Sequence, residues 1–330
     1  MSPRSGSIDG MLACAYAGVP GTDTSTVAAM TIRTAEALAG CAPVDYLAVG
    51  NPTLDVLPDS SSTIGGSMVY AVVQAARLGL CAAGVGCGHG AELAPVWTPF
   101  EAEAFLYIQP APETTRFRND NAGSLRTQWL ESSAGVVSGL DRLPESRVLH
   151  LAPVAREIVL DDVVRRSARG LVGLTPQGLI RSWDASRLVR HHMLHIDGAT
   201  AKNIDAVVFA DYEATYLASV AEAVRRAGGV VVITKGPRGA EVLLANGKQE
   251  FSAIAADRLV DDTGAGDVFA ASLFIALDTG STVSDAVRFA AAAATLSISG
   301  IGPGAIATRD AVVKLAGRDT AIDRSAVGLF

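Results

Sequence analysis

Asp261-Asp262-Thr263-Gly264-Ala265-Gly266-Asp267 follows a β-prone segment, Phe251 to Val260, and opens an apolar, helix-length run from Val268 to Leu277. A Gly-Ala-Gly turn at a helix start leaves backbone N–H groups without intrahelical partners. With no large side chain in the way, an anion can come close to them. Asp267 then sets a carboxylate beside the same anion. That placement is costly unless the carboxylate has a task, and taking a proton from an attacking hydroxyl is the natural one. The plainer reading is an acidic residue in the first turn of an ordinary helix, where the macrodipole favours it. The whole stretch in a strand-to-helix setting favours the chemical reading, with an anion pocket at Gly264, Ala265 and Gly266 and Asp267 as general base.

Composition bounds the rest. The chain has 330 residues, 49% of them hydrophobic, enough for one large α/β domain or a domain with a small appendage. A formal charge of −7 and the lack of any long Lys/Arg run argue against nucleic acid or an anionic membrane as partner. No apolar run has the length of a membrane span, and the N-terminus makes a poor signal peptide. The four cysteines fit no zinc spacing and no disulfide framework. They read as thiols of a cytoplasmic protein.

Residues 1–42 read as an N-terminal extension, rich in Gly, Ser, Thr and Pro up to Thr24, with a short helix from Ser25 to Leu38. Residues 43–330 read as the main domain. Asp45 to Gly50 is a first buried strand, and Asp55 follows its C-terminal end, where open α/β sheets bind ligands. A carboxylate there can accept hydrogen bonds from two neighbouring hydroxyls. Gly65-Gly66 then leads into a helix ending at Leu78-Gly79. Gly84 to Gly90 fails the dinucleotide spacing and is expected to be a glycine-rich loop. Residues 105–131 suggest a hairpin, with Arg118, Arg126 and Gln128 as polar candidates on it. His191 and His195 would share a face if helical, but no nearby carboxylate or Cys completes a zinc ligand set. Strand and helix alternate most clearly from Ala206 to Thr234, with Glu213 in a helix first turn. Thr234-Lys235-Gly236-Pro237-Arg238-Gly239 is a turn into a hairpin running from Glu241 to Phe251. Ser284 to Gly300 reads as a small-residue helix ended by Gly302-Pro303-Gly304.

In this order the motifs resemble those of the PfkB, ribokinase-like carbohydrate kinase family, closest to its inositol-kinase-like branch, over roughly residues 43–310. Residues 261–267 are similar to the family's D-T-x-G-A-G-D signature, and Gly65-Gly66 to its first signature. The resemblance implies a three-layer α/β sandwich around a central, mostly parallel sheet. It also implies a reduced lid, because the link from Asp55 to Gly65 is short and residues 105–131 must supply lid strands. It further implies an ATP-dependent kinase with Mg2+, acting on a hydroxyl of a small sugar, cyclitol or nucleoside. Asp55, Gly65, Gly66, Tyr70 and Arg126 would then face the substrate. Thr234, Gly236 and Gly239 would face the nucleotide, and Glu213 would organise Mg2+ through water. Asp261 and Thr263 fall where relatives bind a monovalent cation such as K+. Departures from the family pattern are Asp262, Tyr70 in place of Asn, Ala210 in place of the Asn of N-x-x-E, and Ala291. They leave a non-catalytic, ligand-binding relative as the alternative. A homodimer is left open.

Overall fold

The computed structural model describes residues 33–34, 44–56, 62–120, 127–140, 143–160 and 170–319. Among them, Val44–Val49 (β2) is buried on both faces, as a run of apolar residues inside a parallel sheet must be. Its side chains alternate, Tyr46 and Ala48 to one core and Leu47 and Val49 to the other.

The strands are Arg33–Thr34 (β1), β2, Thr53–Val56 (β3), Ser62–Gly65 (β4), Ala82–Gly88 (β5), Phe105–Pro110 (β6), Thr115–Asp120 (β7), Thr127–Ser132 (β8), Ser146–Leu151 (β9), Leu171–Leu174 (β10), Arg181–Trp183 (β11), Val189–His191 (β12), Ala206–Ala210 (β13), Val230–Thr234 (β14), Ala240–Leu244 (β15) and Gly247–Phe251 (β16). Among the described residues the main sheet has ten strands in the order β1-β6-β5-β2-β9-β10-β13-β14-β15-β16. It is parallel up to β14 and antiparallel beyond. Helices Ser67–Arg77 (α1), Ala265–Asp278 (α6) and Val283–Ser297 (α7) cover one face, and Ala214–Arg226 (α5) the other. Between these fall Gly90–Trp97 (α2), Gln177–Ile180 (α3) and Gly198–Ala201 (α4). The expected three-layer sandwich is therefore present.

Several expectations are corrected. Residues 84–88 are not a loop but the centre of β5. Glycine is required there because a Cβ on Gly84 would lie 2.2 Å from Met68 Sδ, and one on Gly86 2.2 Å from the Gly50 carbonyl oxygen. Arg33–Thr34 pairs with β6 as an edge strand, not as helix; the rest of the Ser25–Leu38 stretch lies outside the described residues. The strand before the glycine turn ends at Phe251, and residues 252–262 are irregular and largely exposed. His191 closes a short strand, so the helical face it would have shared with His195 does not form. Cys87 is a buried free thiol, whereas Cys81 is disulfide-bonded.

A second, four-stranded sheet, β4-β3-β7-β8, stands beside the first. The link after Asp55 holds more than a turn, since β3 and β4 pair antiparallel, and the β7–β8 hairpin joins them through β3. Phe117, Leu130, Val154, Ala155, Trp183 and Val189 form a small core beneath it. The chain leaves the main sheet for this lid at Asn51. There Glu157, 1% exposed, accepts the amides of Asn51 at 2.7 Å, Val154 at 2.8 Å and Ala155 at 2.6 Å. Removing the carboxylate orphans three buried donors. Glu157→Ala is thus expected to cost about 3–5 kcal/mol in urea unfolding, and Glu157→Gln less.

Candidate active site

The site lies at the C-terminal edge of the parallel strands, between lid and body. Gly264, at φ +78, precedes α6 in a left-handed conformation that favours glycine. A Cβ there would also sit 2.3 Å from the Tyr70 ring, so Tyr70 of α1 packs directly on this bare Cα. The N–H of Ala265 is tied to the Asp262 carbonyl at 3.2 Å, and that of Asp267 to the Gly264 carbonyl at 3.0 Å. Among the described residues the amides of Gly264 and Gly266 have no such partner, and they lie at the positive end of a 14-residue helix.

Asp267, in the first turn of α6, accepts a hydrogen bond from the Ser67 hydroxyl. Burial lifts its carboxyl from an ordinary 3.8 to about 6, the Ser67 bond and the Arg181 charge lower it, and Glu213 raises it further. Asp55 stands on β3 with its carboxylate over Gly65, where a Cβ would lie 2.4 Å from Oδ2. Gly66, at φ +95, caps α1, and a Cβ there would be 2.9 Å from the Asn51 carbonyl oxygen. Between these groups sits Tyr70, 4% exposed. Burial drives its phenol well above the usual range, and the charges of Asp55, Asp261 and Asp267 add to that. One phenol thus feels the carboxylates from both sides of the cleft.

On the other side, Thr234 ends β14 in register with Ala210 of β13. Its hydroxyl donates to the Phe209 carbonyl at 3.4 Å. Gly236, at φ +54, and Gly239, at φ +93, shape the following turn, and a Cβ on Gly239 would overlap the Phe251 carbonyl. Arg238 pairs with Asp211 across the two strand ends. Glu213 is 2% exposed, and its Oε2 accepts the Ala210 amide at 2.9 Å. Burial raises its carboxyl as well, partly offset by that amide and by Arg181.

Two residues here escaped sequence reasoning. Ser67 directly follows the Gly-Gly pair, a position that could have been read. Arg181, 8% exposed, opens β11, donates to the Val154 carbonyl at 2.8 Å and lies 4.9 Å from the centre of the Phe117 ring. It is the positive charge acting on both Asp267 and Glu213. Of the lid candidates, Arg118 pairs with Glu131 at 3.1 Å and stacks on Trp129, and Gln128 donates to Asn119. Both are spent on the lid surface, and Arg126 lies outside the described residues. The Asp261 Oδ1 accepts the Thr263 amide at 3.0 Å, and the nearby Ile298 carbonyl accepts the Val260 amide at 2.8 Å. These oxygens already carry hydrogen bonds within the protein.

Residues 189–309 match the family model described as pfkB family carbohydrate kinase. The fold resembles a pyrophosphate-dependent kinase of the ribokinase family in its sulfate complex, with TM-score 0.69 and 18% identity over 81% of this chain and 99% of that one. It also resembles a Burkholderia thailandensis nucleoside kinase bound to inosine (TM-score 0.67, 18% identity, 84% and 98% covered). A third likeness is to Arabidopsis thaliana ribokinase bound to ribose and ATP (0.62, 19%, 83% and 99%). Over residues 189–309 the chain resembles pfkB family carbohydrate kinases, and its fold is that of these ribokinase-family structures.

The ionisation of Asp267 yields a prediction on stability. Its folded value, about 6, exceeds the ordinary 3.8, so ionising it costs more in the folded chain than in the unfolded one. The stability associated with the neutral form is present at low pH and is lost as pH rises from 3.8 through about 6. Asp267→Asn should therefore raise the thermal midpoint by a few degrees at about pH 8, and the two curves should converge near about pH 4.

Proposed function

We propose that this chain transfers the terminal phosphoryl group of ATP to a hydroxyl of a small polyol. The observation that carries the reading is that Asp55 and Asp267, from opposite sides of the cleft, act on the same phenol, Tyr70, next to the free amides of Gly264 and Gly266. Asp55 grips hydroxyls of the acceptor. Asp267, with a value near 6, is ionised at neutral pH and still basic enough to take the proton of the attacking hydroxyl. The Gly264 and Gly266 amides receive the phosphoryl oxygens, and Ala265 keeps the turn in shape. Thr234, Gly236 and Gly239 line the donor side.

Mg2+ fits this donor set. The charge of Glu213 makes Asp267 harder to ionise, and Glu213 Oε1 is buried with no hydrogen-bond partner among the described residues. Glu213 would hold the ion, through water. When bound, it neutralises charge on the donor phosphates. Arg181 adds a fixed positive charge on the same side.

Asp267→Asn is expected to lower kcat by about two to four powers of ten with the KM for ATP little changed. Asp55→Asn should raise the KM for the acceptor instead. A coupled assay with ATP, and with pyrophosphate as the alternative donor, run with and without polyol, checks both. Donor consumption that ignores the polyol would remove the reading in favour of a ligand-binding protein.

A further inference from the structure

We propose that His150 is a positioning residue for Asp267: fixed by Tyr46 and Thr175, its ring seats Phe274 and so sets how far α6 reaches past the strand ends. This rests on the kinase reading above, in which Asp267 is the base and has to stand at one height.

Three side chains from neighbouring strands meet under α6. Tyr46 of β2 and His150 of β9 are fully buried, and Thr175, one residue past β10, is buried beside them. The Tyr46 hydroxyl lies 2.7 Å from His150 Nδ1, and His150 Nε2 lies 3.0 Å from Thr175 Oγ1. Thr175 Oγ1 in turn donates to the Leu151 carbonyl at 3.5 Å. That direction leaves Thr175 to accept the proton on Nε2, so Nδ1 accepts from Tyr46. Both ring nitrogens are thereby satisfied. Burial holds the imidazole down at about 3, so it is neutral at ordinary pH and takes no part in the proposed reaction. The two bonds fix the plane of the ring, because turning it would strand polar groups out of water.

What the ring supports is α6. Phe274 meets it edge to face, with centroids 5.0 Å apart and planes at 82°. The other side of the seat is Gly173 of β10, in register with His150, where a Cβ would lie 2.3 Å from Phe274 Cδ2. Towards the end of α6, Asp278 pairs with Arg147, near the start of β9, at 2.7 Å. The helix therefore runs antiparallel to β9. At 1.5 Å per residue, the stretch from Phe274 back to Asp267 spans roughly 10 Å. Since β9 ends at Leu151, next to His150, that length carries Asp267 beyond the strand ends. Any slide of Phe274 in its seat moves the carboxylate with it.

The gentlest test removes one hydrogen bond at a time from the ring, by Tyr46→Phe and by Thr175→Val. Turnover is measured per folded molecule, with ATP and pyrophosphate as donors and myo-inositol, ribose and inosine as acceptors. Each variant is expected to lower kcat about tenfold with both KM values held, as misplacement of a reacting group by a fraction of an ångström would. His150→Gln, which keeps a donor for Thr175, should lose less than His150→Leu. Because the effect runs through the seat, adding Tyr46→Phe to Phe274→Leu should cost no more kcat than Phe274→Leu alone.

A second readout needs no turnover. The Asp267 carboxyl, assigned by its loss in Asp267→Asn, is titrated by 13C NMR. Around it stand Ser67 and Tyr70 of α1, Tyr46 of β2, Arg181 of β11 and Glu213 before α5. Thr175→Val alters none of these. A fall from about 6 towards 3.8 in that variant therefore reports a carboxylate that has moved towards water, and the acid limb of kcat should move to lower pH with it. Wild-type titration and wild-type kcat in both Tyr46→Phe and Thr175→Val would overturn the proposal. Equal losses with and without Phe274→Leu would overturn the route through the seat. A wild type that phosphorylates no polyol from either donor overturns the kinase reading, and the Asp267 titration then decides by itself whether His150 places that carboxyl.

Discussion

The contact between the Tyr70 ring and the bare Cα of Gly264 joins the two halves of this molecule's chemistry. It sets the distance between α1, which starts at the glycine pair beneath Asp55, and α6, which carries Asp267. A methyl group at position 264 would break it twice over, by collision and by the left-handed backbone it would have to adopt. Met68, Val69, Phe269 and Leu273 of the two helices belong to the same buried apolar cluster, and the aromatic contact sits at its edge.

Electrostatics then decide what the cleft can do. Two carboxylates, Asp267 and Glu213, are held out of water, burial makes both harder to ionise, and the charge of Glu213 adds to the cost at Asp267. Arg181 offsets part of that cost through space, and Ser67 offsets a little more through its hydrogen bond. The result is a carboxyl near 6, a value that suits the role of base proposed for Asp267. The balance is built from four different elements, β11, α1, α6 and the short turn before α5. No local sequence window contains it.

That explains what could be read from the sequence. The glycine turn into α6 was legible because its glycines, its first-turn Asp and the apolar helix behind it are contiguous, and a helix N-terminus is a local object. The parallel sheet was legible in strands such as Val44–Val49 and Ala206–Ala210, whose apolar runs admit few other fates. Gly84, Gly86 and Gly88 were misread because glycine usually marks a loop. Here it clears room for Met68, for the Gly50 carbonyl and for Leu93, neighbours that only the tertiary fold supplies. Arg181 was invisible for the same reason. Its burial depends on Phe117 and Val154, both distant in sequence.

Glu157 gathers three amides at the place where the chain departs for the lid, and so it fixes a stump. Beyond that stump, Asp55 rides on the smaller sheet, while Asp267 belongs to the larger one. Under the reading proposed above, the residue that would grip an acceptor and the residue that would activate it are thus carried by different layers of the fold, which meet at this anchored stump.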